Sequence, residues 1–137
     1  MTGKVFENGD KKSLGKAGED FACAFLESKG HEILCRNYTR KGGEIDIISA
    51  IGKYIVFTEV KIRSGNYSPM KSVTPKKIAT VMRCAKAFLE EKSIVPSRDG
   101  LSMRIDIVAL KLEKDGTIAL HSHIERLNLL PVTSGVR

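Results

Sequence analysis

Two short stretches carry side-chain types that do hydrolytic chemistry together: Gly43-Glu44-Ile45-Asp46, and Glu59-Val60-Lys61 at the end of Tyr54-Ile55-Val56-Phe57-Thr58. The second reads as a buried strand. Side chains alternate across a strand, so Glu59 and Lys61 point the same way, about 7 Å apart along it, on the face of Ile55 and Phe57. Val56, Val60 and Ile62 fill the other face. Carboxylate and ammonium groups are seldom buried unless paired or metal-bound. Asp46 lies between Ile45 and Ile47 and shares a face with Glu44. If its strand pairs with the next across the turn near Gly52, Asp46 falls roughly opposite Glu59. Adjacent carboxylates repel unless a cation or proton intervenes, and magnesium takes one or two carboxylates with waters and phosphate oxygens. Lys61 could then orient or activate the attacking water and stabilise charge developing on a phosphate. This chemistry is divalent-metal cleavage of phosphodiester bonds.

The elements that must position these residues follow from periodicity. A helix is expected from Ser13, as N-cap, to Lys29, with Gly30 as its stop and Leu14, Ala17, Phe21, Ala22, Phe25 and Leu26 as its apolar stripe. Glu19 lies at the edge of that stripe. Strands at 31–38, 44–50 and 54–62 are joined by Lys41-Gly42-Gly43 and Ile51-Gly52-Lys53 into a meander. Residues 63–74 read as a flexible loop. Thr74 caps a second helix over 75–92, with Pro75 at its first position and Ile78, Val81, Met82, Ala85, Phe88 and Leu89 as its stripe. Strands at 102–112 and 117–124 turn at Asp115-Gly116. The organisation is a mobile polar segment over 1–12, one domain over 13–125 and a tail over 126–137. The second helix carries the chain across to a parallel neighbour, giving an α/β sandwich with a mixed central sheet flanked by helices.

A chain of 137 residues suits one domain with a sizeable core. The net charge of +7 and pI near 9.4 fit a nucleic-acid partner held through its phosphates. No apolar run is long enough to span a membrane, and the first dozen residues lack the apolar stretch of a signal peptide, so a cytoplasmic protein is expected. Cys23, Cys35 and Cys84 are odd in number and far apart, which argues against a zinc knuckle or disulfide framework. His121 and His123 share a strand face but lack a third metal ligand at useful spacing.

The candidate phosphate contacts are Lys76 and Lys77, where positive charge opposes the helix dipole, and Arg36, Arg40 and Lys41, with Tyr38 available for stacking. Arg63 and Lys71 add a clamp from the loop. These residues would position a backbone, not read bases. Each candidate also has a purely structural reading. Glu59 and Lys61 could be an ion pair at a strand end, Asp46 could cap a turn or pair with Arg104, and Glu19 and the lysines could be solvated. Arg104 and Asp106 read best as a supporting ion pair.

An acid, about a dozen residues, then Glu-x-Lys, in the order αβββαβ, resembles the PD-(D/E)XK nuclease superfamily. The likeness narrows with Leu14-Gly15-Lys16-Ala17-Gly18-Glu19, Arg36-Asn37-Tyr38, Gly43-Glu44-Ile45-Asp46-Ile47-Ile48, Phe57-Thr58-Glu59-Val60-Lys61-Ile62-Arg63 and Arg104-Ile105-Asp106-Ile107-Val108. Together these resemble the YraN-like family of endonuclease-like proteins, related to archaeal Holliday-junction resolvases, over residues 13–125. The resemblance implies a restriction-endonuclease-like core and a Mg²⁺- or Mn²⁺-dependent endonuclease acting on DNA, branched or flapped forms included. It implies Asp46 and Glu59 as metal ligands, the Val60 carbonyl as a third, Lys61 as the catalytic lysine and Glu19 as an acid near the metals. The proline that often precedes the first acid is replaced by Ile45. The alternative is a non-catalytic nucleic-acid-binding module on the same fold. The sequence leaves a homodimer open.

Overall fold

The computed structural model describes residues 2–5 and 11–127. In chain order these form β1 (Thr2–Val5), α1 (Lys11–Ser28), β2 (Glu32–Arg40), β3 (Gly43–Ile51), β4 (Tyr54–Ser64), a 3₁₀ turn (Pro69–Ser72), α2 (Pro75–Glu91), α3 (Pro96–Asp99), β5 (Ser102–Leu112) and β6 (Thr117–Ile124). From α1 to β5 the main elements keep the expected αβββαβ order. No helix among the described residues is long and apolar enough to cross a membrane.

One six-stranded sheet, ordered β1-β6-β5-β4-β3-β2, runs through the molecule. β2, β3 and β4 form the antiparallel meander. β4 and β5 are parallel along their whole length, from Tyr54 beside Ser102 to Ser64 beside Leu112. A parallel pair needs a crossover, and α2 supplies it. Its start is fixed by Pro75 and by Thr74, whose Oγ1 accepts the Lys77 amide hydrogen at 3.1 Å.

Helices cover both faces. On one, Ile78, Val81, Ala85 and Phe88 of α2 pack on Ile55, Phe57, Ile105 and Ile107. On the other, Phe21, Ala22, Phe25 and Leu26 of α1 pack on Ile47, Val108 and Leu110. The alternation expected of β4 holds: Ile55 and Phe57 face α2, while Val60 and Ile62 face α1. α1 reaches the sheet closely at Gly18, where an added Cβ would stand 3.6 Å from Ile62 and Leu110 side-chain carbons.

Four expectations are corrected. Thr2–Val5, placed in a mobile segment, form a strand beside β6; an exposed sheet edge accepts backbone pairing whatever the side-chain pattern. Ser13 is not the N-cap, because α1 already runs from Lys11. The segment 63–74 is not a free loop. β4 extends to Ser64, the 3₁₀ turn follows, and the Tyr67 hydroxyl donates to the Leu110 carbonyl at 2.6 Å. Of the tail, Leu127 is buried in the α2-side core, and its amide donates to the Ile105 carbonyl at 2.8 Å. Met1, residues 6–10 and residues 128–137 lie outside the described residues.

Candidate metal and phosphate site

The β3–β4 ladder runs from Ile51 beside Tyr54 to Ile47 beside Thr58. The next step would pair Asp46 with Glu59, and there the ladder ends. The Val60 amide donates instead to Asp46 Oδ2 at 2.8 Å. Strict alternation breaks at the same place. Ile48 and Ile45 both pack in the α2-side core, whereas Ile47 packs in the α1-side core. Across from Asp46, between Arg36 beside Ile47 and Tyr38 beside Ile45, stands Asn37 with φ of 52°. Asparagine tolerates this left-handed conformation better than most residues. The face change thus lets Arg36 reach α1 while Tyr38 packs on α2.

Asp46 and Glu59 line one cavity of about 480 Å³, whose far wall is the first turns of α2 through Thr74, Lys76, Lys77 and Thr80. Gly43 brings that wall close: a Cβ there would lie 2.7 Å from Thr80 Cγ2. Burial, above all, pushes the Asp46 carboxyl up to about 7. The Val60 amide works in the opposite direction, and the neighbouring charges of Glu59, Glu19 and Glu44 raise it further. Excess negative potential of this kind is what a cation relieves.

Glu59 Oε2 accepts a hydrogen bond from Lys61 Nζ at 3.3 Å and forms an ion pair with Lys77 Nζ at 2.8 Å. Lys61 is nearly buried, its side chain 9% exposed. It lines a small apolar crevice with Ile107 and Val81, next to the main cavity and sharing Glu59 and Lys77 with it. Asp46 and Lys61 therefore meet through Glu59. Glu19 on α1 is held 3.7 Å from Arg36 Nη2, and Asp20 holds the same guanidinium at 2.8 Å. Among the described residues no three His, Cys, Asp or Glu side chains form a metal-holding group. A magnesium-type ion needs only one or two protein carboxylates, and Asp46 and Glu59 are two that line one cavity; a closed cage of protein ligands is not formed among the described residues.

The basic candidates divide by partner. Lys76 lines the cavity and is exposed. Lys41 is exposed at the turn before β3, and its carbonyl accepts from Arg83 Nε at 3.1 Å. Arg63 and Lys71 are exposed. Arg36 is tied to Asp20, and Arg40 to Glu91 at 2.7 Å. Tyr38 is corrected as a stacking surface: it is buried edge-on against Phe88, with ring centroids 5.4 Å apart. Sequence reasoning missed Arg83 and Thr80. They fall on the helix face of Lys76 at spacings of seven and four, a pattern visible once α2 is drawn as a helix.

Arg104 does not pair with Asp46. It is bidentate to the buried Asp106, at 3.0 and 2.9 Å, and His123 Nε2 lies 2.8 Å from the same carboxylate. His121 packs at a tilt against Tyr67, with centroids 5.0 Å apart and ring planes at 43°. All three cysteines are free thiols.

The chain matches the Uncharacterised protein family UPF0102 over residues 18–110. It is 44% identical to a UPF0102 protein of Sulfurihydrogenibium sp. (strain YO3AOP1), covering 74% of this chain and 87% of the relative. It is 36% identical to one from Geotalea uraniireducens (strain Rf4), covering 87% and 91%. A solved structure described as Pyrococcus furiosus SfsA in complex with Ca²⁺ superposes with a TM-score of 0.35 at 16% identity, over 84% of this chain and 64% of that one. The matched stretch spans the Asp46 and Glu59-x-Lys61 strands and the helix opposite them, so by sequence the chain belongs to the UPF0102 family.

Proposed function

We propose that this protein is a metal-dependent endonuclease that hydrolyses DNA phosphodiester bonds at the cavity between the β3–β4 fork and α2. The observation that carries the reading is the placement of Asp46 and Glu59 on one wall of the cavity and Lys76 on the other. Asp46 and Glu59 would hold Mg²⁺ or Mn²⁺, with the Val60 carbonyl a candidate third ligand and Glu19 acting at longer range. Such an ion polarises a phosphoryl oxygen and lowers the pKa of bound water. Lys76 and Lys41 draw in the phosphate backbone, aided by Arg63 and Lys71. Lys61, held against Glu59, presents a fixed positive charge to the charge that develops on the phosphate. Selectivity for branched or flapped DNA accords with the resolvase-like sequence pattern.

A second reading is nucleic-acid binding without cleavage. It is favoured by the two lysines on Glu59 Oε2, which already neutralise that carboxylate. The deciding experiment offers single-stranded, duplex, flapped and four-way DNA, and RNA, with magnesium or manganese. Cleavage lost in Asp46→Asn and Glu59→Gln supports the nuclease. A folded protein that binds DNA but cleaves none of the panel supports the binding module.

A further inference from the structure

We propose that Lys77 is an exchangeable counter-ion: a divalent cation displaces it from Glu59, and the released ammonium binds substrate phosphate, coupling metal binding to nucleic-acid binding. The proposal rests on the nuclease reading of the site and adds a switch between its two ligands.

Lys77 and Lys61 share one oxygen, Glu59 Oε2, at 2.8 and 3.3 Å. A divalent ion on that carboxylate repels both ammonium groups. The two lysines differ in how they can respond. Lys61 stands on β4, which is paired with β5 along its length, and only 9% of its side chain is exposed. Lys77 stands on the first turn of α2 with 43% of its side chain exposed. Lys77 is thus the one free to leave. Its backbone need not move, because its amide is fixed to Thr74 Oγ1 at 3.1 Å; the exchange is a rotamer swing. The cavity it swings into is lined by its neighbour Lys76 and by Asp46. A phosphate drawn in by Lys76 and by the metal would meet the released ammonium there. Coupling of this sort is reciprocal, so DNA must tighten the metal as much as the metal tightens DNA.

Calcium is a suitable probe, as a hard oxygen-seeking ion. Its affinity is measured calorimetrically, and the affinity for a fluorescent four-way DNA is measured by anisotropy with and without calcium at constant ionic strength. For the wild type, calcium should tighten DNA binding about tenfold, within the usual range of allosteric couplings. Lys77→Gln should bind calcium several-fold more tightly, having lost the competitor, and its coupling should fall several-fold below that of the wild type, leaving what direct metal–phosphate contact supplies. Lys76→Gln should weaken DNA binding yet keep the wild-type coupling ratio. Coupling as large in Lys77→Gln as in the wild type overturns the proposal, as do equal changes in calcium affinity for the two variants, since those would report charge alone. Calcium that does not bind the wild type, or binds equally to Asp46→Asn, overturns the nuclease site and this proposal together. Calcium bound through Asp46 with undiminished coupling in Lys77→Gln overturns only the exchange.

Discussion

The carboxylate of Asp46 takes the Val60 amide hydrogen at 2.8 Å, so the group offered to a cation is also the one that closes the β3–β4 fork. The hydrogen bond fixes the carboxylate beside Glu59 and still leaves its other oxygen for a ligand. Geometry and charge pull against each other here. Burial pushes the Asp46 carboxyl up to about 7, against 3.8 for an ordinary aspartate.

That shift makes a pH prediction with a definite sign. Between about pH 4 and 7 the folded protein keeps a proton that the unfolded chain has lost, so stability falls as pH rises through this window and levels off above it. The whole effect is at most about 4 kcal/mol, from about 1.4 kcal/mol for each pKa unit. Asp46→Asn keeps an acceptor for the Val60 amide but carries no charge. Relative to wild type it should gain stability at pH 8, with the gap narrowing towards pH 4.5. Urea denaturation at both values measures it, and a gap that does not widen with pH would refute the assignment.

Glu59 and Lys61 should separate metal binding from turnover. Glu59→Gln should lower both manganese affinity and cleavage, because it removes a carboxylate. Lys61→Ala should leave manganese affinity within a few-fold of wild type yet reduce turnover by about 10²–10⁴-fold, the usual contribution of such a group. Titration calorimetry and single-turnover cleavage read the two effects. Cleavage unchanged in both variants would mean a contaminating nuclease.

How far the site was legible in the sequence depends on whether its cause is local. The stripes of α1 and α2, the Gly52 turn and the alternation in β4 follow from periodicity, and they place Asp46 next to Glu59. Strand β1 escaped because its pairing is made by a backbone edge more than a hundred residues away, not by a hydrophobic pattern. The change of face at Asp46 escaped because it depends on Asn37 adopting φ of 52° in a neighbouring strand. The partners of Arg36 and Arg40 escaped because Asp20 and Glu91 lie on helices brought near only by packing. Lys77 was legible as a surplus positive charge, but not as a ligand of Glu59, since that contact joins two elements through the third dimension.

Arg104 and Asp106 support the fold at a distance from the chemistry. Asp106 is fully buried. Burial would raise its pKa, but hydrogen bonds with His123 and Arg104 and from the Arg126 amide outweigh it and hold the carboxyl below the usual range. Its contribution is present above the ordinary carboxylate pKa and is lost as pH falls through the lowered value. Asp106→Ala should cost up to about 3–5 kcal/mol, because the buried Arg104 loses its bidentate partner and keeps only Glu125, 3.7 Å away. Denaturant unfolding at pH 7 tests this, and a loss below about 1 kcal/mol would mean that Glu125 or water satisfies the guanidinium. Metal affinity of the folded fraction should stay unchanged.

Gly43 tests whether the packing of α2 on β3 sets the cavity. An added Cβ would stand 2.7 Å from Thr80 Cγ2 and 3.3 Å from the Thr80 carbonyl oxygen. The first distance is below any comfortable contact, so Gly43→Ala must push α2 away from β3 or twist Thr80. Overpacking of this kind typically costs about 1–3 kcal/mol. Because Lys76 and Lys77 stand on the same turns as Thr80, displacement of the helix also moves the basic wall away from Asp46 and Glu59, and DNA affinity should fall with stability. Thr80→Ser deletes the clashing methyl and keeps the hydroxyl that donates to the Lys76 carbonyl at 3.1 Å. The double variant Gly43→Ala with Thr80→Ser should therefore recover much of both losses, a coupling that a double-mutant cycle resolves. Recovery of stability without DNA affinity would show that the cavity wall is not set at this contact; recovery of neither would place the strain at the Thr80 carbonyl, 3.3 Å away, which no side-chain change can relieve.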